Sequence, residues 1–191
     1  DACRALGLVV WPMIEFECDD ALATGAARFA AERAVERVVI CSPDKDLAQC
    51  VGGKVVQHDR RNQKMFDTEG VRAKFGVGPE SIPDYLALVG DSVDNVPGVD
   101  KVGPKTAVKW LAQYGSLDDI VKRAPEIGGA VGENLRKSLD WLPRGRELLT
   151  IKCDVPLPLG VRDLALRPRD TAKLAELFDR FGFKSWRREI D

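Results

Sequence analysis

Two aspartates three residues apart, Asp91 and Asp94, close an apolar run and open a turn rich in glycine and proline. At that spacing both carboxylates project the same way from a helix end or a tight turn. Converging carboxylate oxygens are what a hard divalent cation requires. Further on, Gly103 precedes Pro104, Lys105 and Thr106. Proline at a first helical position after a glycine marks a helix start. Backbone amides at such a start, with a lysine beside them, attract an anion such as a phosphate. Cation-binding acids joined to a phosphate-binding turn are the parts needed to hold and cut a phosphodiester.

Other acids come in two groups, Glu17, Asp19 and Asp20, then Asp44 and Asp46 around Lys45. The elements around them predict where they meet. Residues 2–6 end a helix, and residues 7–11 form a short apolar strand stopped by Pro12. Asp19 or Asp20 caps a helix running to about Arg33. Its apolar positions Leu22, Ala26, Phe29 and Ala30 recur at helical spacing. Residues 37–41 form a continuous apolar run, expected of a strand buried on both faces. A helical turn at 47–51 and a strand at 54–58 follow. Strand, helix, strand order predicts a parallel α/β sheet with right-handed crossovers. Ligands of such sheets sit outside the carboxyl ends of the strands. That topology gathers Glu17, Asp19, Asp20, Asp44 and Asp46 on one rim. Acids crowded together repel, and bound cations are the usual remedy. Each group also has a plainer reading. Asp19 and Asp20 can simply cap a helix and favour its dipole, and Asp44 and Asp46 can flank Lys45 in a solvated loop. The three groups together, with Asp91 and Asp94 included, favour metal binding.

The remaining chain is predicted to be mostly helical. The basic run at 60–64 is a surface loop or an edge hairpin. A helix over 67–75, with Val71 and Phe75 inward, ends at Gly76, and residues 76–79 form the best domain boundary. Helices are expected from Glu80 to Gly90, over 104–114, 116–123, 131–142 and 145–151, and from Asp170 or Thr171 to Phe181. Pro143 marks a bend, Pro156 and Pro158 an extended segment, and the Trp186 tail closes the chain. Trp110 and Tyr114 are expected in the core.

Composition bounds the reading. With 191 residues and 45% hydrophobic content, the chain has enough material for one domain or two small ones. No apolar run approaches the ~20 residues of a membrane span. Five cysteines without CxxC spacing point to thiols in a reducing cytosol, and the single histidine, His58, excludes histidine-based zinc clusters. A net charge of −1 argues against crude polycation binding. The charge is unevenly placed, with eight acids against four bases over residues 13–46 and ten bases against seven acids over 97–152. An acidic region beside a mildly basic one suits a metal site next to a phosphate-backbone track.

Three stretches resemble one known family. DYLALVGDSVDNVPGV at 84–99, continued by VGPKTA at 102–107, is similar to the helix–three-turn–helix of 5′-nucleases (flap endonucleases). That family includes the 5′→3′ exonuclease domain of bacterial DNA polymerase I and its stand-alone relatives. ECDD at 17–20 and SPDKDL at 42–47 match it as well. The resemblance implies a PIN-like α/β nuclease portion at 1–76 and an all-helical region at 77–191. It implies that Glu17, Asp19, Asp20, Asp44, Asp46, Asp91 and Asp94 serve a catalytic Mg²⁺ or Mn²⁺ pair, some directly and others through water. It implies a turn gripping duplex DNA through Gly98, Lys101, Gly103, Lys105 and Thr106. A K⁺ held by backbone carbonyls near Val96, Val99 and Val102 is implied too. The substrate would be DNA with 5′ ends or flaps, bound by structure rather than sequence, in the cytoplasm and beside a linked or separate DNA polymerase.

Two departures stand out. The family turn often reads Gly-Ile-Gly where this chain has Lys101, Val102 and Gly103, and losing the first glycine restricts the backbone. The family also begins with an aspartate-bearing central strand and a basic helical arch, neither of which precedes Asp1 here. An N-terminally truncated nuclease is therefore expected, with an exposed apolar sheet edge. A non-catalytic duplex-DNA-binding fragment is the alternative, and a nuclease-like fold recruited for RNA or protein contacts is a distant third.

Overall fold

A computed structural model describes residues 1–158 and 160–190. The chain opens with α1 (Ala2–Ala5) and α2 (Cys18–Ala30). The sheet follows, with β1 (Val38–Ile40), β2 (Val55–Asp59) and β3 (Lys64–Phe66) in that spatial order. β1 and β2 are parallel, with Val38 opposite Val55 and Ile40 opposite Gln57. β3 returns antiparallel, with Asp59 opposite Lys64, so the basic run at 60–64 is a hairpin turn. The crossover between β1 and β2 carries a 3₁₀ helix at Asp46–Cys50 in place of a longer α-helix.

Two sequence expectations fail here. Residues 7–11 are not a strand. Gly7 takes φ +82° and its carbonyl accepts from Arg167 N–H at 3.0 Å, which pulls the segment away from the sheet. β1 is not buried on both faces either. Val39 is 41% exposed and lines an open apolar groove with Leu8, Val10 and Leu22. Among the described residues β1 therefore pairs on one side only, and Leu22 faces that groove rather than the core.

After α3 (Thr68–Phe75), capped by the Asp67 carboxylate and ended by Gly76, the fold is helical. α4 (Ile82–Val89), α5 (Pro104–Tyr114), α6 (Leu117–Lys122), α7 (Gly129–Ser138), α8 (Leu142–Leu149), α9 (Thr171–Phe181) and α10 (Lys184–Arg188) follow. Pro143 sits in the first turn of α8 and starts that helix rather than bending a longer one, because its missing N–H costs nothing there. No helix among the described residues is long and apolar enough to cross a membrane.

α4 is the hub. Ile82, Tyr85, Leu86, Ala87 and Leu88 are all buried, so the helix is apolar on most of its circumference and lies inside the protein. It packs on α5, α8 and the 3₁₀ helix at Asp46–Cys50. Ala48, Val51 and Val71 from the sheet half share one core with Leu88, Leu111, Ile120, Leu135 and Leu142 from the helical half. The largest core therefore runs through the 76–79 junction and fixes the loop at 44–46 against the C-terminal end of α4.

Candidate metal centre

Asp91 lies just past the end of α4, where Gly90 leaves the helix at φ +84°. Its backbone forms a small antiparallel bridge with Val96, with N–H to carbonyl distances of 2.7 and 2.8 Å. The enclosed turn brings Asp94 back beside Asp91. Asp46 enters from the other side as the first residue of its 3₁₀ helix. The carboxylate oxygens of Asp46, Asp91 and Asp94 all come within 4.8 Å of one another. Asp46 and Asp91 are buried and Asp94 is exposed.

Lys45 is ion-paired with Asp91, and its Nζ lies 3.3 Å from Asp46 Oδ1. Asp46 Oδ1 is buried and has no hydrogen-bond partner. Burial drives the Asp46 carboxyl up to about 6; Lys45 opposes the rise, and the charges of Asp44 and Asp91 add to it. Burial also opposes the charge on Asp91. Lys45 and the N–H groups of Val93, at 2.9 Å, and Asp94 outweigh it and hold Asp91 below the ordinary range. One of the two buried acids is thus ready to be ionised and the other is held back.

The other predicted acids surround this group to different degrees. Burial raises the Asp19 carboxyl, with the charges of Asp44, Asp20 and Asp94 adding to it, so Asp19 shares the field of the cluster. Asp44 Oδ1 accepts from Asp46 N–H at 3.0 Å and shapes the loop. Glu17 is the exposed N-cap of α2. Asp20 accepts from Glu17 N–H at 3.1 Å and from Lys152 N–H at 2.9 Å, so backbone donors engage both of its oxygens. Among the described residues, the carboxylates that converge to ligand distance are Asp46, Asp91 and Asp94.

The sequence reading assigned no role to two residues here. Gln57, almost fully buried on β2, donates from Nε2 to the carbonyls of Ser42 and Asp44 and clamps the acidic loop to the sheet. A glutamine on the same strand face as Val55 was the available signal. Lys45 was visible only as a charge between two acids.

The turn between Asp94 and α5 is built on backbone contact. Gly98 lies so close to the end of α4 that a Cβ there would sit 2.3 Å from Gly90 N and 2.4 Å from Val89 C. Val99 N–H donates to Leu88 O at 2.9 Å, and Trp141 Nε1 and Asn134 Nδ2 hold the carbonyls of Pro97 and Asp100 at 2.8 and 2.9 Å. Val96, Val99 and Val102 bury their side chains in the core. The Val96 and Val99 carbonyls already accept from Asp91 and Val102. Lys101 takes φ +62° without being glycine, at the position where the sequence departs from Gly-Ile-Gly. Gly103, Pro104, Lys105 and Thr106 line a shallow open pocket at the start of α5.

Three carboxylates, an orphaned buried oxygen and no nitrogen or sulfur ligand fit an oxygen-preferring divalent cation. Fold and site together define a mixed α/β region joined to a helical one, with a cluster of three acids that could hold a cation between Asp46 and the end of α4. The family described as "5′-3′ exonuclease, N-terminal resolvase-like domain" matches residues 1–76. The family described as "5′-3′ exonuclease, C-terminal SAM fold" matches residues 77–172. The chain belongs to the 5′-3′ exonuclease family.

It is 40% identical over 190 residues to DNA polymerase I of Mycobacterium leprae (strain TN), covering 97% of this chain and 21% of that one. It is 39% identical over 183 residues to the 5′-3′ exonuclease of Aquifex aeolicus (strain VF5), covering 94% of this chain and 62% of that one. The chain thus spans about a fifth of the polymerase and under two thirds of the exonuclease. Among solved structures, the T5 5′-exonuclease with zinc bound superposes with a TM-score of 0.66 at 22% identity, over 73% of this chain and 51% of that one. The catalytic core of Rad2 in complex with DNA substrate superposes with a TM-score of 0.55 at 16% identity, over 94% and 61%. Both likenesses are of fold.

Proposed function

We propose that this chain is the nuclease part of a divalent-metal-dependent 5′→3′ exonuclease and 5′-flap endonuclease that hydrolyses DNA phosphodiesters in replication and repair. The observation that carries the reading is the convergence of Asp46, Asp91 and Asp94, from two distant parts of the sequence, beside an exposed turn that ends in Lys105. Asp46, Asp91 and Asp94 would hold Mg²⁺ or Mn²⁺. Asp19 and Asp44, with Glu17 and Asp20 further out, would supply the remaining negative charge of a two-metal site. Such metals activate water and stabilise the leaving oxygen of an in-line displacement.

The chain's own residues do the positioning. Gln57 fixes the carbonyls of the 42–44 loop, and the Asp91–Val96 bridge fixes the turn. The turn would meet a duplex backbone through the amides near Gly98 and Gly103, the Thr106 hydroxyl and the ammonium groups of Lys101 and Lys105. A K⁺ near the carbonyls of Val96, Val99 and Val102 belongs to the same reading. Backbone contacts carry no base information, so 5′ ends and flaps would be chosen by shape. The likeness to DNA polymerase I supports work beside a polymerase, linked or separate.

The test is release of a labelled 5′ product from flap DNA in Mg²⁺ or Mn²⁺. The chain is expected to cut in either metal and to stop in EDTA. Asp91→Asn should lose cleavage at least a hundredfold while still binding duplex. Equal cutting by Asp91→Asn would overturn the reading, and duplex binding with no cleavage in either metal would make the chain a DNA-binding module.

A further inference from the structure

Outside the carboxylates, one charged group sits inside the candidate metal centre. Lys45 is ion-paired with Asp91, and its Nζ lies 3.3 Å from Asp46 Oδ1, the oxygen with no hydrogen-bond donor. Among the described residues, no other lysine or arginine is in salt-bridge range of Asp46 or Asp91. Lys45 is not paired with Asp94, the third convergent acid, which is exposed. Asp44 and Asp19 face the same space and add negative charge. The geometry is that of a cation site with an ammonium drawn against two of its three carboxylates.

We propose that Lys45 is the built-in counter-ion of this centre, holding Asp46 and Asp91 together when no divalent cation is bound and competing with that cation for them. This rests on the metal-centre reading above and adds to it a residue that sets metal affinity. Two buried like charges with no cation between them would force the loop at 44–46 and the end of α4 apart. Lys45 prevents this from a position that is still a third exposed. A lysine suits the task because its ammonium is a compact charge on a flexible four-carbon stem and can leave without moving the backbone. The same oxygens cannot fully serve both an ammonium and a divalent ion, so each lowers the other's affinity. The competition favours a doubly charged ion over a singly charged one. It also accounts for two buried acids lying side by side.

The experiment is calorimetric titration of the 191-residue chain with Mn²⁺ and Mg²⁺ at pH 7.5, together with thermal melting in EDTA and in saturating Mn²⁺. Lys45→Met should bind Mn²⁺ about tenfold more tightly, since a positive charge a few ångströms from the ion is removed. In EDTA the same variant should melt several degrees below the parent, and saturating Mn²⁺ should close that gap. Lys45→Arg, which keeps the charge, should stay within about threefold of the parent's affinity. A purely structural lysine would give the opposite sign, with looser metal binding and a gap that persists in Mn²⁺, and that result overturns the proposal. If the parent binds Mn²⁺ and Lys45→Met binds it no more tightly, the counter-ion role fails and the metal centre stands. A parent that binds neither ion overturns the metal centre and the counter-ion together.

Discussion

Asp46→Asn separates the cost of the acidic cluster from its use. The Asp46 side chain is 12% exposed, has one oxygen without a hydrogen-bond partner, and its carboxyl is shifted from 3.8 to about 6. Below pH 3.8 the group is protonated in both folded and unfolded chains and costs nothing. Between 3.8 and 6 the folded protein keeps a proton that the unfolded chain has released, so stability falls as pH rises. Above 6 the whole cost remains, about 3 kcal/mol as an upper figure from the size of the shift. Asparagine keeps the shape and removes the ionisation. In EDTA at pH 7.5, Asp46→Asn should therefore be more stable than the parent by up to about 3 kcal/mol. For a chain of this size that is a rise in melting temperature of roughly 6–12 °C. At pH 4.5 most of the gap should vanish. The depressed Asp91 works in the opposite direction, but it is present in both proteins and largely cancels in the difference. The assay is urea unfolding at the two pH values, repeated with Mg²⁺, where the parent should gain more than the variant. A variant no more stable than its parent at pH 7.5, or a gap independent of pH, would refute the argument that burial sets the Asp46 shift.

Two further outcomes follow from the turn. Gly98→Ala places a methyl against the backbone of Gly90 and Val89, which cannot swing aside as a side chain would; it should destabilise by about 2–3 kcal/mol in urea unfolding. Lys105→Ala should weaken duplex binding about equally across sequences and lower the salt slope of log affinity by about 1; an unchanged slope would remove Lys105 from the phosphate track.

The parts of the fold legible in the sequence were those written in local chemistry. Pro104 after Gly103 sets the start of α5, Gly76 and Gly90 end their helices, and Ser116 and Asp170 cap theirs, whereas the cap expected at Asp19 or Asp20 falls on Glu17. The misreadings depended on partners far along the chain. Residues 7–11 have the composition of a strand, yet strand formation needs a neighbour with free donors, and Arg167 draws the Gly7 carbonyl elsewhere. The apolar run at 37–41 looked doubly covered, but Val39 stays 41% exposed in an open groove. In the site, the acids announced themselves by type and spacing. Which of them converge was set by the packing of α4 on the 3₁₀ helix at Asp46–Cys50, which no local pattern encodes. Gln57 was given no role, and Lys45 none beyond its charge, because their partners lie across a strand crossover or a helix end.

The contact between Gly98 and the end of α4 has a consequence for length rather than strength. Main chain touches main chain there, so the separation of Gly98 from the end of α4 is set by two peptide planes. If the turn grips a duplex and the acids cut it, this stretch is a ruler, and the place of the cut is counted from the grip.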